Sequence, residues 1–167
     1  MEYSNTVDHY NSELIETVEK LLGISERFYG ETTAYQKQFP TELQVGLFIS
    51  ASVTDEWMDR YYRHMKQVDL FFTDTERVIS LLSQLMLRAD AGVCDDLVQQ
   101  CDSIIQQYTV LSRAVHHYTS KSQSALLRKA PSPSLTDLFF CLRDFHSQIG
   151  RWLDFLRTRL TERKKSV

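Results

Sequence analysis

The chain has 167 residues, which suits one domain with a sizeable buried core. An apolar share of 43% and a charged share of 25% are those of an ordinary globular protein. A net charge of −3 argues against a general phosphate-backbone binder, which carries a basic surplus.

The charge is uneven. Residues 1–90 hold 15 acidic and 8 basic residues, and residues 91–167 hold 7 acidic and 11 basic. That polarity favours docking of the two halves on each other over steering of a partner. The three cysteines, Cys94, Cys101 and Cys141, are odd in number and include no Cys-x-x-Cys pair. The polar start Met1-Glu2-Tyr3-Ser4-Asn5 lacks the layout of a signal peptide. No run approaches the roughly 18 apolar residues of a membrane span. These features predict a cytoplasmic or nuclear protein.

The first predicted helix runs from about Val7 to Gln38. Leu14, Val18, Leu21, Ser25, Phe28, Thr32, Tyr35 and Phe39 alternate four and three apart, which keeps them on one helix face. Ile15, Leu22 and Tyr29 form a second row beside it and widen the face to the width a bundle needs. Pro40 ends the helix, because the residue before proline is pushed out of the helical region. Thr41-Glu42-Leu43-Gln44 reads as a capping box, and the apolar run Val45–Ile49 as a short buried helix. Ser52-Val53-Thr54-Asp55 reads as a further cap.

The second long helix is predicted over Asp55–Arg88, with Trp57, Tyr61, His64, Val68, Phe71, Thr75, Val78, Leu82 and Leu85 inward. A row of strict seven-residue spacing, Met58, Met65, Phe72, Ile79 and Met86, flanks it. The third helix is predicted over Asp95–Arg128 on the row Leu97, Cys101, Ile104, Tyr108, Leu111, Val115 and Tyr118. Ala130-Pro131-Ser132-Pro133-Ser134 is the clearest loop, and Ser134-Leu135-Thr136-Asp137 opens the fourth helix. That helix carries Leu138, Leu142, Phe145, Ile149, Trp152 and Leu156, flanked by Phe139, Leu153 and Leu160.

Short connections favour antiparallel neighbours. The predicted fold is therefore all-α: an antiparallel up-down-up-down four-helix bundle with long helices and a short extra helix between helices one and two. It forms a single domain over 1–167 with residues 1–6 and 161–167 frayed.

The sequence carries no motif that points to an enzyme. No histidine follows an acidic residue at the Glu-x-x-His spacing of di-metal bundles, and no Cys/His set has zinc spacing. No Gly-x-Ser-x-Gly and no glycine-rich phosphate loop is present. His116-His117 are adjacent helical residues that point about 100° apart, so they do not chelate one ion easily. His64 and Cys101 fall on core rows, where a satisfied polar residue and an inert thiol are expected. Arg60-Tyr61-Tyr62-Arg63-His64-Met65-Lys66 mixes bases and aromatics as single-strand binders do, but Tyr61 and Met65 belong to the inward rows. No catalytic, cofactor-binding or metal site is expected, and no nucleic acid or small-molecule substrate.

One patch, Ser132-Pro133-Ser134-Leu135-Thr136-Asp137 followed by Leu142-Arg143-Asp144-Phe145, is similar to a late helix in the ribosome maturation factors that associate with an AAA ATPase. The likeness covers under a tenth of the chain, and it implies a helical adapter.

By elimination the sequence points to a non-enzymatic protein-protein interaction module, an adapter or assembly subunit, in a hetero-complex or a homo-oligomer. A membrane-surface or lipid-binding helical protein is the alternative. Aromatics off or at the edge of the principal rows, such as Tyr3, Tyr10, Tyr29 and Tyr62, suit binding hot spots. The candidate partner site is the second half of helix four with the edge of helix two: Arg151, Arg157, Arg159, Tyr62 and Arg63.

Overall fold

The computed structural model describes residues 2–38, 51–88, 95–127 and 136–165. These form four helices, α1 Glu2–Gln38, α2 Ala51–Arg88, α3 Asp95–Leu127 and α4 Thr136–Lys165, with no strand among the described residues. At about 1.5 Å per residue they are roughly 45 to 57 Å long.

The inward rows are those the spacing predicts. On α1, Leu14, Val18, Leu21, Ser25, Phe28, Thr32 and Tyr35 are all buried. On α2 the buried set is Tyr61, His64, Val68, Phe71, Thr75, Val78, Leu82 and Leu85. On α3, Cys101, Ile104, Leu111, Val115 and Tyr118 are buried, while Leu97 and Tyr108 are partly covered. The whole predicted α4 row, from Leu138 to Leu156, is buried, and Leu153 joins it. The flanking residues Ile15, Leu22, Met65, Phe72, Met86 and Phe139 lie half-buried against this core. Phe39 and the Val45–Ile49 run lie outside the described residues, as do the side chains of Trp57, Met58 and Leu160.

Contacts between helices set their directions. Along α1, Tyr10 donates a 2.8 Å hydrogen bond to the Leu85 carbonyl, Phe28 stacks on Phe71 at 4.2 Å, and Tyr35 stacks on His64 at 3.9 Å. Numbers rise on α1 as they fall on α2, so the two run antiparallel. Glu19 with Arg157, Ser25 with His146 and Tyr29 with Phe139 place α4 antiparallel to α1 in the same way. Glu76 with Tyr108 and His64 with Tyr118 do so for α2 and α3. Each helix touches two neighbours, in the ring order α1, α2, α3, α4, and the α2–α3 contact is the least extensive.

The helix ends differ from the sequence reading. Helix α1 begins at Glu2 rather than Val7, and α4 extends to Lys165. No proline or glycine interrupts residues 2–22 or 151–165, so nothing breaks the backbone ladder. Ser52–Asp55 is not a cap: α2 already starts at Ala51 and runs through it. Each of those residues lowers helix stability by under about 0.7 kcal/mol relative to alanine, which a long packed helix absorbs. The short extra helix expected between helices one and two, with its Val45–Ile49 run, lies outside the described residues.

Two tests follow from this packing. Leu111 is fully buried, so Leu111→Ala lowers stability by about 2–5 kcal/mol in urea denaturation. Gly23 and Gly30 lie on the exposed face of α1, and a Cβ at either meets nothing within 4 Å. Gly23→Ala and Gly30→Ala therefore each raise stability by about 0.5–1 kcal/mol, read as a higher denaturation midpoint at unchanged slope.

Candidate functional site

Three polar arrangements stand out against the apolar core. The first lies midway along the α1–α4 seam. Ser25 occupies an inward position of α1 and is fully buried. Its hydroxyl donates to the Leu22 carbonyl at 2.8 Å and sits 2.9 Å from Nδ1 of His146. On the far side of that ring, Nε2 faces Oε1 of Glu26 at 4.0 Å, a contact that becomes an ion pair only when the imidazole is protonated.

Serine, histidine and glutamate in line resemble the parts of a nucleophilic triad. A hydroxyl has one proton, and that of Ser25 goes to Leu22. Nδ1 of His146 is then the donor, and it does not act as a base toward the serine. With Ser25 also sealed from solvent, the arrangement joins α4 to α1 instead of activating an oxygen.

The second arrangement closes one end of the bundle, where Tyr35 of α1, Tyr61 and His64 of α2 and Tyr118 of α3 are all buried. The His64 ring lies flat on Tyr35, 7° from parallel, and Tyr118 meets it edge-on at 6.3 Å. Burial holds the Tyr35 phenol well above its ordinary range, and the neighbouring Tyr118 adds to this. Away from this end, near the start of α3, burial pushes the Cys101 thiol up to about 11. Among the described residues no group of three His, Cys, Asp or Glu side chains is placed to hold a metal ion. His116 stacks on Phe72 at 5.3 Å, and both it and His117 are exposed.

The third arrangement comprises the predicted partner residues, which do not form one surface. Tyr62 and Arg63 are exposed beside His64, level with Tyr35 of α1, and Tyr62 meets the edge of Tyr61 at 5.6 Å. Arg157 lies level with Glu19, sixteen residues earlier on α1 than Tyr35, or about 24 Å along the axis. Arg157 on α4 and Tyr62 on α2 are thus about 24 Å apart along the bundle axis. An antiparallel ring separates what the linear sequence left unplaced.

Two of the arginines also serve the fold. Arg157 donates to Glu19 at 2.9 Å, joining the basic second half of the chain to the acidic first half. Arg159 is half-buried with its guanidinium 5.6 Å from the centre of the Phe155 ring. Arg151 is exposed, as is Arg157 beside its partner Glu19. Sequence reasoning missed Phe140, which is 66% exposed. The signal was present, because Phe140 falls off both rows of its helix. Of the patch similar to ribosome maturation factors, Leu142 and Phe145 are core residues, Arg143 and Asp144 are exposed, and 132–135 lie outside the described residues.

The Arg157–Glu19 pair is half-exposed, so its contribution is small. Arg157→Glu sets two carboxylates against each other and lowers stability by up to about 1 kcal/mol at low salt. Adding Glu19→Arg to the same chain recovers most of that loss, which a double-mutant cycle in urea reads directly. No protein-family model, no curated protein and no solved structure matches this chain.

Proposed function

We propose that this chain is a protein-protein interaction module, an adapter or assembly subunit of the cytoplasm or nucleus, that binds its partner through the outward face of α4. One observation carries the reading: a large aromatic, Phe140, stands 66% exposed on a helix whose inward row is fully covered. Arg151 follows eleven residues later. Eleven residues are close to three helical turns, so both project from the same outward stripe. An exposed aromatic with an arginine in line is the composition enriched at binding hot spots. The arginine also offers a planar donor set to acidic partner groups. The part of the earlier candidate set that suits this role is Arg151, since Arg157 and Arg159 are engaged within the fold.

A second reading, attachment to a membrane surface, draws on α2. Leu70 and Leu81 are 50% and 41% exposed, and Arg63 and Arg77 stand exposed along the same side of the helix. Apolar residues flanked by arginines on one helix face suit an anionic interface. No helix among the described residues is long and apolar enough to cross a membrane.

The tagged full chain and its Phe140→Asp, Arg151→Glu double variant, both checked by thermal melting, are used in affinity purification with mass spectrometry. A partner retained by the parent and lost by the equally stable variant is the expected result. Equal retention by both places the interface elsewhere. Co-sedimentation with anionic phospholipid vesicles, abolished by Leu70→Ser with Leu81→Ser and untouched by the α4 changes, establishes the second reading instead.

A further inference from the structure

His64 is the one imidazole among the described residues that is sealed from solvent, at 1% exposure. It is met from α1 by the stacked Tyr35 ring and from α3 by the edge of Tyr118. Along its own helix, Gln67 exerts a weak pull towards protonation but reaches neither ring nitrogen with hydrogen-bond geometry. Among the described residues, neither nitrogen has a hydrogen-bond partner. The groups around it are thus phenols and an amide, and no described carboxylate acts on it. A neutral ring stacks well in such a place, whereas an imidazolium loses its hydration and finds no anion in return.

The position matters as much as the burial. His64 and Tyr118 form part of the α2–α3 contact, the least extensive of the four seams. Elsewhere along that seam the cross-helix links include the Tyr108–Glu76 hydrogen bond, the edge contact of Phe72 with Tyr108 at 6.2 Å and the exposed His116–Phe72 stack. Opening α3 away from α2 near Tyr118 lets water reach the His64 ring.

We infer that His64 is an acid-operated latch: its protonation releases α3 from α2 at this end of the bundle and exposes the phenols of Tyr35 and Tyr118. Burial lowers the His64 pKa from 6.5 to about 4. The closed state binds the proton more weakly than the open one. The contribution of His64 to closure is therefore whole above the ordinary pKa and is lost as pH falls from there towards about 4. At about pH 5 the local opening equilibrium shifts roughly tenfold or more towards the open form.

Hydrogen exchange of the full chain, corrected for intrinsic rates, is compared at about pH 7 and about pH 5 in the parent and in His64→Phe. The variant keeps a ring to stack on Tyr35 and removes the titrating nitrogens. In the parent, segments 61–68 and 111–118 lose protection roughly tenfold or more at the lower pH, while 14–21 and 149–156 hold. In His64→Phe all four hold. Unchanged protection in the parent, equal losses in the variant, or a uniform loss over all four helices overturns the latch. If His64→Phe does not fold, the NMR titration of the His64 ring in the parent decides. A midpoint well below 6.5 supports the latch and one at or above it overturns it.

Discussion

Everything in this bundle rests on a spacing of alternating four and three residues that holds along each helix. A straight α-helix turns once in about 3.6 residues, whereas this pattern repeats in about 3.5. The mismatch is small enough for a gentle left-handed supercoil to keep each row facing its partners over the whole helix length. A single insertion within α1 would rotate every later member of the row, from Ser25 to Tyr35, by about 100° and turn it out of the core. Such a repeat commits nearly every inward side chain to packing, which is why chemistry is found at the margins of the rows and at the few polar positions within them.

Those polar positions are concentrated on two helices. Ser25 and Thr32 interrupt the α1 row, and His64 and Thr75 the α2 row, each at most 1% exposed. They differ in how their polar atoms are met. Ser25 holds two contacts, with Leu22 and His146. The hydroxyls of Thr32 and Thr75 and both His64 nitrogens meet no hydrogen-bond partner among the described residues. A buried polar group left in that condition costs about 1–3 kcal/mol. The α1–α2 pair thus gives up stability that the stacks of Phe28 on Phe71 and Tyr35 on His64 help to offset.

The seams divide the work. α1 is the hub, with broad contacts to both α2 and α4. Its ion pairs run to both sides, from Arg27 to Asp74 on α2 and from Glu19 to Arg157 on α4. The α2–α3 side is thinner. A bundle built this way is firm around α1 and between α3 and α4, and thinnest between α2 and α3. The outward face of α4 stays available.

The sequence alone determined which residues face inward, because side-chain direction on a helix depends only on position along the repeat. Every described residue on the four principal rows is at least partly covered, down to the polar Ser25 and His64. Helix ends were less legible. A cap motif such as Ser52–Asp55 is a local preference of about 1 kcal/mol, which the packing of a long helix overrides. What only the tertiary structure decided was which rows meet and at what height. That pairing set Arg157 against Glu19, laid His146 beside Ser25 and stacked Tyr35 on His64. It also set Tyr62 and Arg157 about 24 Å apart along the bundle axis. No spacing within one helix carries that information, because the relative height of two helices depends on the connections between them and on how their side chains interlock.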